Sequence, residues 1–372
     1  MNKSKQLLKL KQSIWFDNID RELIDNGWLK DQIDDDIIFG LTSNPSIFKK
    51  SIVDGEAYSH DIHSMSVAGL KTKEILEGLV IKDIQNVADL LKPTYLESEQ
   101  TDGYVSLEVD PSLASDTNQT VSEAKRLWKL VDRENLMIKI PATPAGIYAI
   151  KEVIALGINV NVTLIFSVQR YLEVIDAYMS GLEERIDSNH SIDKIYSVAS
   201  FFVSRLDVKL ESKLWELTQS GKITEKGFQS YMGKPAITNV LYAYQEFEKA
   251  LNSERFKKIS ENGGNIQRTL WASTGTKNAA YSDVLYVEGL ILPNTINTVP
   301  PKTLSAFLDH GTCKVVDHSS GKKDFLAMVN ALEKLGIDFS EVWAELESEG
   351  IAAFSKAQEE LLAVIERKNV SK

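Results

Sequence analysis

The chain has 372 residues, 43% of them hydrophobic, and a formal net charge of −11. That apolar content suffices for a large α/β barrel or for two domains, and the acidic balance excludes nucleic acid and anionic membranes as natural partners while leaving room for a small phosphorylated ligand. A single cysteine, Cys313, excludes an intrachain disulfide, and with a basic N-terminus that lacks a signal-peptide pattern and no apolar stretch of membrane-spanning length, a soluble cytoplasmic protein is expected.

Short β-rich runs alternate with longer helical patterns, the arrangement of a parallel α/β sheet. Strands are predicted at 13–17, 37–42, 104–109, 136–142, 159–166, 195–202, 267–273 and 294–299. Between the second and third lies a helical insertion, about 45–100, with a helix over 72–91. A further helix is expected at 237–251. Helices at 302–310, 323–335 and 341–367 form a C-terminal extension, about 302–368, with Gly311 and Gly336 as stops for the first two. Eight such strands suggest a (β/α)8 TIM barrel, read as one domain over 1–372. An open doubly wound sheet is the alternative, but no G-x-G-x-x-G follows any strand.

The fourth run, Leu136-Met137-Ile138-Lys139-Ile140-Pro141-Ala142-Thr143, places a lysine inside an apolar strand. Desolvation opposes a charged ammonium there, and a neutral amine is a nucleophile. Lys139 is therefore a candidate Schiff-base lysine.

In a barrel of this type, catalytic groups collect at the C-terminal ends of strands. Unexpected polar residues gather there: Asp17-Asn18 after the first strand, Thr42-Ser43-Asn44 after the second, and Glu108 in the third. Asn159, Asn161 and Thr163 alternate in the fifth, which puts them on one face. Ser200 to Arg205 close the sixth and Ser273 to Lys277 the seventh. Each has a structural alternative. Asp17-Asn18 and Asn44-Pro45 could be helix caps. Asn161 and Thr163 could form a polar core layer, and Glu108 could be an ion-pair partner for Lys139. Their coincidence at strand ends favours a site. His60 and His63 share a helical face, but no companion ligands support a metal reading, and a solvated face is expected. No histidine falls at a predicted strand end, and Cys313 reads as a packed or surface thiol.

The segments Trp15-Phe16-Asp17-Asn18, Leu41-Thr42-Ser43-Asn44-Pro45-Ser46, Val105-Ser106-Leu107-Glu108-Val109, Ile138-Lys139-Ile140-Pro141-Ala142-Thr143 and Gly157-Ile158-Asn159-Val160-Asn161-Val162-Thr163-Leu164 resemble transaldolases. The resemblance continues through Phe201-Phe202-Val203-Ser204-Arg205, Trp271-Ala272-Ser273-Thr274 and Asn297-Thr298-Val299-Pro300, in order along nearly the whole chain. It is closest to the longer bacterial branch, which also occurs fused to glucose-6-phosphate isomerase.

The resemblance implies a class I aldolase-type barrel with no metal or organic cofactor. It implies transfer of a dihydroxyacetone unit from sedoheptulose 7-phosphate or fructose 6-phosphate to glyceraldehyde 3-phosphate or erythrose 4-phosphate, in the non-oxidative pentose phosphate pathway. Lys139 would form the Schiff base, Asp17 act as general base, and Glu108 move protons through a water held by Thr163. Asn44, Asn161 and Ser200 would hold sugar hydroxyls, with Thr42 beside them. Arg205, Ser273 and Lys277 would bind phosphate, and Phe202 would be the apolar wall of the chamber. Phe202 and Glu108 favour a transferase over the related fructose-6-phosphate aldolases, which tend to carry tyrosine and glutamine there. Sugar phosphates are the expected partners, and dimers are common in the family. The competing readings are an aldolase releasing free dihydroxyacetone, a non-catalytic sugar-phosphate-binding barrel, and an isomerase or epimerase on the same fold.

Overall fold

The computed structural model describes residues 1–370. Seven parallel strands, each short and mostly apolar, are buried on both faces, as strands flanked by helices must be. They are β1 (Gln12–Phe16), β2 (Val105–Glu108), β3 (Leu136–Pro141), β4 (Val160–Ile165), β5 (Ser197–Phe202), β6 (Gln267–Ala272) and β7 (Thr295–Val299). Their order is β1-β7-β6-β5-β4-β3-β2.

The predicted strand at 37–42 is the one departure. It is not a regular strand but an irregular stave between β1 and β2, bridged at Leu41 to Phe16 on one side and Val105 on the other. Its backbone still bonds both ways: Phe39 N donates to Ile14 O, and Leu41 N to Tyr104 O. The ring thus closes as a TIM barrel, with the eighth stave lacking a full ladder.

The helices follow local chemistry. Asn44 caps the helix Pro45–Asp54 by accepting from Ile47 N, with Pro45 in the first turn. Thr143 caps Pro144–Ala155 in the same way. Asp17 and Asn18 do not cap; Asp20 does, for Arg21–Asp25. Gly336 takes a left-handed φ of 93°, which explains its place after the helix Gly321–Lys334. Gly311 ends Pro301–His310 in an extended conformation instead.

The insertion contributes the helices Pro45–Asp54, Ser59–Val67 and Thr72–Glu97. The last two are tied to the helix Arg21–Asp25, which follows β1, by Arg21, which is buried. Its guanidinium pairs with Asp83 at 2.7 Å and Asp61 at 2.8 Å, and stacks on Tyr58 at 4.2 Å. The Tyr58 hydroxyl donates to Asp83. A buried arginine paired this way fixes geometry more than it adds net stability.

The C-terminal helix, Phe339–Val370, has 32 residues, a length of about 48 Å. It crosses the C-terminal mouth of the barrel. Near its start, Glu347 pairs with Arg170 beyond β4, and Glu345 and Glu349 pair with Lys209 beyond β5. Toward its end, Glu360 pairs with Lys49 on the opposite rim, and Lys368 Nζ donates to Ile52 O at 2.8 Å. Gly350 permits the close approach between: a Cβ there would lie 3.0 Å from Leu164 Cδ2 and 3.4 Å from an Arg205 nitrogen. Among the described residues, no helix is long and apolar enough to cross a membrane.

Candidate functional site

Strand register builds the centre of the site. Lys139 of β3 stands opposite Glu108 of β2 on one side and Asn161 of β4 on the other. Side chains of directly paired residues in a parallel sheet point to the same face, here the barrel interior. Lys139 Nζ donates to the Ser43 carbonyl at 3.1 Å. Glu108 Oε2 lies 3.7 Å from Nζ, an ion pair too long for a hydrogen bond. Oε2 is buried with no hydrogen-bond partner among the described residues, and so is Thr163 Oγ1. Burial pushes the Glu108 carboxyl up to about 7 from 4.5, despite the opposing charge of Lys139.

Asp17 follows β1, and its backbone N–H donates to Val299 O. Its carboxylate accepts from Thr42 Oγ1 at 2.7 Å, and Thr42 is itself 2.7 Å from Thr298 Oγ1. Burial raises the Asp17 pKa, and the charges of Lys139 and Lys277 and the Thr42 hydroxyl work against it. Lys139 thus lies between two largely buried carboxyl groups held by different partners. That arrangement can separate their proton affinities and so their tasks.

Asn161 and Ser200 form a chain across the interior: Ser200 Oγ donates to Asn161 Oδ1 at 2.7 Å, and Asn161 Nδ2 to Ser106 Oγ at 2.9 Å. The polar-layer alternative therefore describes part of what these residues do. Asn44 likewise commits its side-chain oxygen to a helix cap.

On the β5–β6 side, Ser204 Oγ and Ser273 Oγ are 3.0 Å apart. Burial lowers the pKa of Arg205, against the favourable charges of Glu349 and Glu108. Lys277 is exposed, yet near enough for its charge to act on Asp17. The loop bearing Ser273 and Lys277 is pinned to the helix that carries Arg205. The Asn278 amide and Tyr281 hydroxyl both donate to Glu211, and the Tyr286 hydroxyl to Asp207 at 2.6 Å.

Two non-glycine residues at this face have left-handed backbones, Ser273 (φ 56°) and Leu164 (φ 58°). For leucine this is an uncommon state that costs about 1–3 kcal/mol. It coincides with a slip in β4 register between Val162 and Ile165, a bulge that places Leu164 against Gly350 of the C-terminal helix.

The apolar wall expected at Phe202 is shared with a second ring. The Phe202 ring lies 5.4 Å from Phe166 and 5.3 Å from the Arg205 guanidinium. The ring over Lys139 belongs to Phe354, its centroid 5.7 Å from Nζ. The sequence leaves Phe354–Arg367 open as a lid on the site or as packing on the barrel, and the ring position singles out Phe354 within it. Gly350 and the Ser43 carbonyl carry no functional signal in the sequence, and only their spatial position marks them.

A cavity of about 620 Å³ reaches Ser43, Asn44 and Glu108 and passes between the helices Thr72–Glu97 and Thr117–Val131, under Gln358 and Leu361. Lys139 lies deeper, only 4% exposed. Among the described residues, no group of three histidine, cysteine, aspartate or glutamate side chains is placed to hold a metal ion.

The chain resembles known proteins over nearly its full length. It is 43% identical to Transaldolase 2 of a Nostoc species over 371 residues, 97% of each chain. It is 43% identical to the transaldolase of Mycolicibacterium smegmatis, covering 94% of this chain and 93% of that one. The transaldolase of Saccharopolyspora erythraea is 44% identical, over 95% and 94%. A family model described as Transaldolase/Fructose-6-phosphate aldolase matches residues 14–365. The chain belongs to the transaldolase/fructose-6-phosphate aldolase family.

Proposed function

We propose that this protein is a transaldolase that carries a dihydroxyacetone unit on Lys139 from a ketose phosphate to an aldose phosphate. The observation that carries the reading is a buried lysine flanked in one chamber by two carboxyl groups, Glu108 and Asp17, with separate partners. A binding barrel has no need for that expensive arrangement. An isomerase would need a base but no lysine at this place.

In this mechanism the Lys139 amine, having passed its proton to Glu108, attacks C2 of the ketose. The carbinolamine loses water, whose oxygen comes from C2, and leaves an iminium ion. Glu108 and Thr163 each have an unpaired buried oxygen: Glu108 is the group to return its proton to the departing C2 hydroxyl, and Thr163 to hold the water so formed. Asp17 takes the C4 hydroxyl proton, the C3–C4 bond breaks, and its electrons flow to the iminium nitrogen. The aldose leaves and an enamine remains. An acceptor aldehyde then reverses these steps. Lys139 itself becomes the electron sink, so no metal or organic cofactor is required.

Asn161 and Ser200 already bond to each other, so they would hold sugar hydroxyls as a preset pair. Asn44 would use its amide nitrogen, and Thr42 acts by orienting Asp17. Arg205, Ser273 and Lys277 would take the phosphate, Arg205 as a planar fork, with Phe202 stacked beneath it. The non-oxidative pentose phosphate pathway and a cytoplasmic setting follow from this reading.

Glyceraldehyde 3-phosphate release from fructose 6-phosphate, with and without erythrose 4-phosphate, tests it. Sustained release only with the acceptor is the expected result. Sustained release without acceptor would make the protein an aldolase, and no release from folded protein would end both readings. Arg205→Ala should raise KM for fructose 6-phosphate at least about tenfold, the value of one charge-assisted hydrogen bond to phosphate. An unchanged KM would remove Arg205 from the phosphate site.

A further inference from the structure

We infer that Phe354, from the C-terminal helix, is the wall that keeps the three-carbon unit on Lys139 from water. It thereby sets how much of it is transferred rather than hydrolysed. The inference rests on the transaldolase reading.

The geometry is direct. Phe354 is 4% exposed, and its ring lies 5.7 Å from Lys139 Nζ and 5.9 Å from the Arg205 guanidinium carbon. It therefore bridges the amine where the carbon unit is held and the arginine assigned to the phosphate. The Phe202 ring lies 5.3 Å from the same guanidinium carbon.

The cavity that reaches Ser43 and Glu108 approaches the amine from the side of the helical insertion, while Phe354 covers it from the C-terminal helix. That helix is anchored by buried apolar residues, among them Val342, Leu346, Leu361 and Ile365, and by ion pairs at both rims, from Glu345, Glu347 and Glu349 at one end and Glu360 at the other. The close seat is made by Gly350 against the Leu164 bulge. The left-handed backbone at Leu164 thus aligns the helix over the site, and Phe354 lies one helical turn beyond Gly350.

The reaction held back is simple. If a proton reaches C3 of the enamine, an iminium ion of dihydroxyacetone forms. Water then adds to C2, the C2–N bond breaks, and dihydroxyacetone leaves with the lysine amine restored. A phenyl ring over the adduct keeps out bulk water, the source of the C3 proton that starts this sequence.

The test compares the wild-type protein with Phe354→Ala and Phe354→Leu. Each is assayed for glyceraldehyde 3-phosphate release from fructose 6-phosphate without acceptor and with erythrose 4-phosphate. The quantity read is the ratio of the acceptor-free to the acceptor-dependent rate. Misfolded protein lowers both rates together and leaves the ratio alone. Phe354→Ala should raise the ratio roughly tenfold or more as water gains access. Phe354→Leu, which keeps an apolar cover, should restore most of the wild-type value. An alanine variant with the wild-type ratio would overturn the wall role while leaving the transaldolase reading intact. A leucine variant as leaky as alanine would overturn it also. A wild-type protein without acceptor-dependent release would instead bring down the transaldolase reading, and this inference with it.

Discussion

Replacing Lys139 with alanine is expected to reduce transfer by on the order of 10⁴-fold or more, because it removes the covalent intermediate itself. Borohydride added in the presence of fructose 6-phosphate should trap a three-carbon adduct on the wild-type peptide containing Lys139. The variant should show none. Lys139→Arg sharpens the point. It keeps a cation beside Glu108 and Asp17 but supplies no nucleophile, so it should be as inactive as alanine while disturbing the two carboxyl groups less. In the alanine variant both carboxyl pKa values should rise further, since the Lys139 charge lowers each of them now. Trapping at a different lysine in the alanine variant would displace Lys139 from its role.

Glu108→Gln is expected to slow transfer by about 10²–10⁴-fold, the usual contribution of a positioned acid–base group. It should also make the protein more stable at alkaline pH. The folded protein holds the Glu108 proton up to about pH 7, whereas the ordinary value is 4.5. Folding therefore takes up a proton between those pH values, and stability falls as pH rises through that window. Above it the wild-type protein carries a desolvated carboxylate with one long ion pair. Glutamine is neutral throughout, and it should recover on the order of 1–3 kcal/mol at pH 8 and little at pH 4. Thermal unfolding at both pH values reads that difference. The pH profile of kcat/KM reads the catalytic side. A rising limb near pH 7 in the wild-type protein should vanish in the variant. If the limb persists, it belongs to another group, with Asp17 the first to examine because burial raises its pKa too.

Both variants concern residues that stand out in the amino-acid sequence alone. Lys139 and Glu108 are charged groups in runs that are otherwise apolar, and desolvation makes such placements rare without a function. The strands are legible for the same reason. Parallel strands covered on both faces must be continuous short apolar runs, and those of β1 to β7 begin and end within about two residues of expectation. The 37–42 run has the right composition, yet it forms an irregular stave, because hydrogen-bond geometry is settled by two neighbouring strands rather than by propensity.

The sequence by itself thus determined the barrel and the chemical character of its mouth: a buried lysine, two carboxyl groups and a set of amides and hydroxyls at strand ends. Only the tertiary structure decided how they meet. Register put Glu108, Lys139 and Asn161 side by side, and packing turned Asn161 and Ser200 toward each other. A bulge at Leu164 seated a helix whose Phe354 lies more than two hundred residues beyond Lys139 in the chain. Local sequence carries composition and periodicity, which burial reads directly. The contact between a lysine and a distant apolar ring has no local signature, because it is selected by the free energy of closing the whole fold.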